Sequence, residues 1–193
     1  MIEMNRQVFL VFAFLLVVVL GGLVSIKLYE AHERELGAKK LLSSFDQISL
    51  ERTSCYGPCP VYRVSVSGTG DVSYEGFSDV ERVGTASKHL DAESMRRLLA
   101  ALNEARYFGF RDSYRTELDG CPGVATDNST VITSVSAEGR VKRIDHYLGC
   151  EQYDPNGSGA DVIYPAELAS LEEHLDEIIG TREWTGWPRR TER

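Results

Sequence analysis

Apolar and polar side chains alternate with period two along Ile48-Ser49-Leu50-Glu51-Arg52, which predicts a first strand. The alternation resumes at Val61, with Tyr62, Val64 and Val66 on one face and Arg63 and Ser65 on the other. Ser67-Gly68-Thr69-Gly70 supplies positions that accept positive φ, and Val72 and Tyr74 carry the period on to Gly76, so this stretch reads as a β-hairpin. Val80 to Ala86 reads as an added edge strand. At Asp91 the period changes to 3.6. Asp91 caps a helix with Met95, Leu98, Leu99, Leu102 and Ala105 on one face and Arg96, Arg97 and Glu104 turned outward. Tyr107, Phe108 and Phe110 follow as core fillers. Ser129 to Ser136 and Arg140 to Tyr147 alternate around Ala137-Glu138-Gly139 and predict a second hairpin. Pro165 opens a closing helix striped by Leu168, Leu171, Leu175, Ile178 and Ile179 and stopped at Gly180. His174 flanks that stripe as a structural side chain. Two polar stretches, Asp112 to Asn128 and Glu151 to Tyr164, read as loops.

The order hairpin, helix, hairpin, helix predicts an α+β domain: an antiparallel sheet of about five strands with two helices packed on one face. Adjacent hairpins argue against a parallel α/β fold. Ahead of the domain, Val8 to Ile26 has Ser25 as its one polar side chain, and 19 residues reach roughly 30 Å as a helix. That predicts an N-terminal transmembrane helix, kept as an uncleaved signal-anchor because the run is long and Leu23-Val24-Ser25 is a poor cleavage site. The expected organisation is therefore a membrane anchor over 1–28, a juxtamembrane stalk over 29–46, the α+β domain over 47–180 and a tail over 181–193. Trp184 and the arginines of the tail either fold back onto the domain or rest on lipid headgroups.

Composition narrows the partners. A formal net charge of −8 over 193 residues, without a cluster of Lys and Arg, argues against nucleic acid. Four cysteines, none in C-x-x-C spacing, suit a compartment in which disulfides persist. Gly57 and Pro58 favour a turn that brings Cys55 and Cys59 into disulfide range, and folding back of the Asp112 to Asn128 loop before the second hairpin makes a Cys121 to Cys150 bridge reasonable. The positive-inside rule points the other way: Arg6 precedes the apolar run, whereas Lys27, Arg34, Lys39 and Lys40 follow it. Because a large domain can translocate despite flanking charge, the cysteines decide, and the expected location is the inner membrane with the domain in the periplasm.

Cys55, Gly57, Cys59, Pro60 and Tyr62 form C-x-G-x-C-P-x-Y, followed by Gly68, Gly70, Val72, Tyr74 and Gly76. This pattern resembles a bacterial family catalogued as domain of unknown function 6438. The likeness runs through Tyr114, Thr126-Asp127, Lys142 and the closing helix, roughly Ile48 to Ile179. It implies an exported or membrane-tethered domain without an assigned activity, and it carries over no catalytic residue.

No reaction follows from the residues. G-x-S-x-G, a P-loop and G-x-G-x-x-G after a strand are all lacking, and His32-Glu33 fails as a zincin motif because Leu36 stands where a second His is needed. The expected function is a noncatalytic binding or structural module of the cell envelope, without a cofactor, facing an unidentified envelope protein or ligand. The alternative is thiol redox or copper or zinc binding at Cys55 and Cys59, with His89 or His146 as a third ligand. A polar site could also form from Asp112, Tyr114, Asp127 and His146, with Asp119 joining these carboxylates in an enzyme reading.

Overall fold

The computed structural model describes residues 21–22, 25–27, 45–153 and 161–186. The chain divides into two units, Met1–Lys40 and Leu41–Arg193, and the second holds the α+β domain. Its main sheet is built from β1 (Phe45–Arg52), β2 (Val61–Ser67), β3 (Asp71–Ser78), β4 (Gly84–His89), β5 (Ser113–Tyr114), β7 (Thr130–Ala137) and β8 (Arg140–Tyr147). The spatial order is β4-β3-β2-β1-β7-β8-β5. A smaller antiparallel sheet is ordered β10 (Asp161–Ile163), β9 (Cys150–Tyr153), β6 (Gly123–Val124). Helices α1 (Ala92–Glu104), α2 (Ala166–Ile179) and the four-residue α3 (Arg182–Thr185) complete the domain.

β1 is central, pairing with β2 on one side and β7 on the other. Ile48 and Leu50 share a face with Val64, Val66, Tyr74 and Val135, and against that face α1 buries Leu98 and Leu99 while α2 buries Leu168 and Leu175. Each such Leu contributes on the order of 2 kcal/mol through burial. Asp91 starts α1 by accepting a 2.7 Å hydrogen bond from the Ser94 amide. Gly180 ends α2 at φ 73°, a conformation a Cβ would strain. On the opposite face Ser87, Ser73, Ser65, Ser49 and Ser134 stand in cross-strand register, so the side without helices is polar.

The expectation of a single antiparallel sheet of about five strands is corrected: among the described residues there are seven strands in one sheet and three in another. β5 runs parallel to β8, with Tyr114 opposite His146. β5, β6, β9 and β10 are only two to four residues long and lie in segments without period-two patterning. Their pairing is imposed by the sheets they border rather than by local preference. The edge strand also shifts. Asp79 adopts a left-handed φ of 54° and the Arg82 amide donates to the Trp184 carbonyl at 2.8 Å, which leads the chain away from the sheet until Gly84.

The predicted transmembrane helix is corrected as well. A span needs about 20 apolar residues in one helix, and no helix among the described residues is long and apolar enough to cross a membrane. Of Val8 to Ile26 only Gly21, Gly22, Ser25 and Ile26 are described, and they are helical. The rest of that run, and residues 28–44 of the expected anchor and stalk, lie outside the described residues. In the tail, Trp184 is buried, with its ring centroid 4.7 Å from that of Tyr74.

Candidate functional site

Sheet register sets Arg52 opposite Tyr62 on β2 and opposite Val131 on β7, and Val131 opposite His146 on β8. Arg52, Tyr62 and His146 therefore form one row on the face covered by α2. On α2, Glu172 and Asp176 are four residues apart, a spacing that puts both carboxylates on one side of a helix. The helix lays these two acids over the row.

Asp176 accepts from Arg52 Nε at 2.9 Å and Nη2 at 2.7 Å, from the Tyr62 hydroxyl at 2.5 Å and from Thr181 Oγ1 at 2.7 Å. Arg52 Nε also donates to the Tyr62 oxygen at 3.1 Å. Burial is the largest influence on the Arg52 guanidinium and opposes its charge. The Asp176 carboxylate, its hydrogen bonds and the Tyr62 and Glu172 oxygens together outweigh it, and the group is held above its ordinary value. Burial first, and then Asp176, pushes the Tyr62 phenol up.

His146 and Glu172 are enclosed, at 0% and 1% exposure. His146 Nε2 lies 3.1 Å from the Tyr164 carbonyl oxygen and Nδ1 lies 2.8 Å from Glu172 Oε2. A carbonyl only accepts, so Nε2 carries a proton. Nδ1 then either accepts from a protonated Glu172 or belongs to an imidazolium facing a carboxylate. Both arrangements hold one proton between the two groups. Burial raises the Glu172 carboxyl above the ordinary carboxylate range, which favours the neutral form. Glu172 Oε1 has no hydrogen-bond partner among the described residues. So deeply enclosed a pair ties α2 to β8 rather than meeting a substrate.

The sequence-derived polar site divides. Tyr114 does meet His146, edge to face with centroids 6.2 Å apart, and its hydroxyl accepts from the Arg111 amide at 3.0 Å. Asp112 points outward and pairs with Lys142. Asp127 is an exposed turn residue at φ 70°, its carbonyl accepting from the Tyr56 amide at 3.0 Å. Asp119 closes its own loop, and the Ser113 hydroxyl holds its carboxyl below the usual range.

All four cysteines are paired. Cys55 and Cys59 close a surface ring with Cα atoms 5.8 Å apart, in which Tyr56 is 89% exposed. Cys121 and Cys150, both buried, join the segment before β6 to β9 with Cα atoms 5.3 Å apart. The suggested third metal ligands are engaged elsewhere. His89 lies 3.0 Å from Asp71 on a row with Gln47, at the other end of β1 from the Cys55 turn and three strands away, or about 14 Å by strand spacing alone. His146 uses both ring nitrogens. No group of three or more His, Cys, Asp or Glu able to hold a metal occurs among the described residues.

Sequence reasoning missed Arg52, Tyr62, Glu172 and Asp176 as a cluster. The available signal was Glu172, which stands four residues after Leu168, inside the apolar stripe where a solvated acid would not belong. Among curated proteins none matches the chain. A family model does, over residues 46–179, a stretch from the second residue of β1 to the last of α2 that includes both disulfides, the half-buried Arg52–Asp176 pair and the buried His146–Glu172 pair. Because that match covers well over half of the chain, the chain belongs to the family described as domain of unknown function 6438.

Proposed function

We propose that this domain is a noncatalytic binding module of an oxidising compartment, with sulfur serving as bracing. In a bacterium that compartment is the periplasm, and the partner is a protein or ligand of the cell envelope. The observation that carries the reading is the Cys121–Cys150 bond, buried between the small sheet and the core. Closing a loop of sequence separation 29 is worth about 3.5 kcal/mol by chain entropy. Such bonds persist where the redox poise is oxidising and are rare in a reducing cytosol.

Alkylation and mass spectrometry of native material, with and without prior reduction, test this. The expected result is two cross-linked peptide pairs, no labelled thiol before reduction, no bound copper or zinc, and couples more reducing than about −300 mV. Free thiols at all four positions would remove the reading. Stoichiometric metal, or a Cys55–Cys59 couple near the potentials of catalytic disulfides, would replace it with a redox or metal role.

A further inference from the structure

The C-terminal end of α1, the 3-10 turn Tyr107–Gly109 and the tip of the β7–β8 hairpin enclose a cleft of about 270 Å³. Leu99, Leu102, Val135 and Ala137, all buried, line it with hydrocarbon, and Phe108 adds an aromatic wall. Arg106 and Arg140 stand among its lining residues. The Arg140 guanidinium lies 4.5 Å from the Phe108 ring centroid and 3.5 Å from Glu138. The Arg106 side chain makes no hydrogen bond or ion pair among the described residues, and its backbone is held left-handed at φ 52°. In a chain of formal charge −8, an apolar recess lined by two arginines and one glutamate is a local reversal of sign.

We propose that this cleft binds a small amphipathic carboxylate, with its acyl or aryl body against the Phe108 ring and its carboxylate on Arg106 and Arg140. Guanidinium groups match carboxylate oxygens in a planar, two-pronged geometry, and an apolar surround strengthens such contacts. A volume of about 270 Å³ exceeds the roughly 150 Å³ of a cavity that admits benzene, which suits a body the size of octanoate or phenylpropionate. The proposal deepens the binding-module reading by naming a ligand class, and it rests on that reading only in that the domain binds something. The cleft sits at the Phe45–Ala137 end of the sheet, whereas the cysteine turn follows Arg52 at the opposite end, so the two readings fail separately.

The test is an NMR titration of the oxidised full-length protein with octanoate, with octanol and octylammonium in parallel. Octanoate is expected to shift the amides of Leu102–Gly109 and Val135–Arg140. Octanol should bind about tenfold more weakly and octylammonium not at all. Arg106→Asn, which tolerates the left-handed backbone, and Arg140→Gln should each weaken octanoate about tenfold with the thermal midpoint unchanged, while Arg63→Gln on the far face should not. Equal affinity for octanol and octanoate, shifts centred elsewhere, or no shift up to about 10 mM would overturn the proposal. If the thiols are still paired in that sample, the disulfide reading survives its failure.

Discussion

Asp176 accepts hydrogen bonds from Arg52, Tyr62 and Thr181, and removing it would strand the guanidinium and the phenol at the helix–sheet boundary. Asp176→Ala is expected to cost about 3 kcal/mol in urea unfolding, since an unpaired, largely buried guanidinium is worse than no charge at all. The double change Arg52→Met with Asp176→Leu should recover most of that loss. A single-variant cost below about 1 kcal/mol would show that the pair is solvated and contributes little. Glu172 gives a pH signature. Its folded form keeps a proton that the unfolded chain releases, because burial raises its carboxyl. Between the ordinary carboxylate value and the raised one, folding therefore takes up protons, and stability falls as pH rises. Glu172→Gln removes this dependence and keeps a donor facing His146 Nδ1. As pH rises above the ordinary carboxylate value of about 4, the stability difference should move in favour of the Gln variant. A difference that stays constant as pH rises would mean that the Glu172 carboxyl is not raised by burial.

At the scale of elements, the two disulfides brace unequally. Chain entropy assigns about 2 kcal/mol to the Cys55–Cys59 ring and about 3.5 kcal/mol to the Cys121–Cys150 loop. Paired Cys→Ser changes in guanidinium unfolding should reproduce that order, with Cys121→Ser/Cys150→Ser the more destabilising. The opposite order would point to strong residual structure in the unfolded loop. At the end of α2, Gly180→Ala should cost about 1 kcal/mol, because Gly180 sits at φ 73° while its amide bonds to the Asp176 carbonyl at 2.8 Å. Thermal unfolding reads this directly, and a neutral effect would mean the helix end relaxes. The two helices and both long hairpins were legible as elements because each buries one face, and that imprints a period on the sequence. β5, β6, β9 and β10 left no such imprint, since strands of two to four residues are too short to show one.

For the domain as a whole, strand order predicts a gradient of stability. β1, β2 and β7 lie inside the seven-stranded sheet, while β4 and β5 are its edges. Amide exchange should be slowest at Leu50, Val64 and Thr133, and fastest in β4 and β5. Uniform protection across the sheet would indicate that it opens only as a unit. The candidate site was illegible for a related reason. Arg52 and Asp176 are 124 positions apart, and His146 and Glu172 are 26 apart. Nothing local distinguishes their charges from those of solvated neighbours, apart from the placement of Glu172 in the apolar stripe.

Taken alone, the chain's residue order determined which segments extend and which coil, where Gly and Pro must turn them, and that Cys55 and Cys59 fall within reach of each other, because all of these depend on neighbours within a few positions. Tertiary structure alone decided that β1 lies between β2 and β7, that the strands divide into two sheets, and that the acids of α2 meet a guanidinium and an imidazole. Those outcomes depend on which apolar faces are buried together. Burial is non-directional and sums over the whole domain, so it brings distant residues together without marking them beforehand.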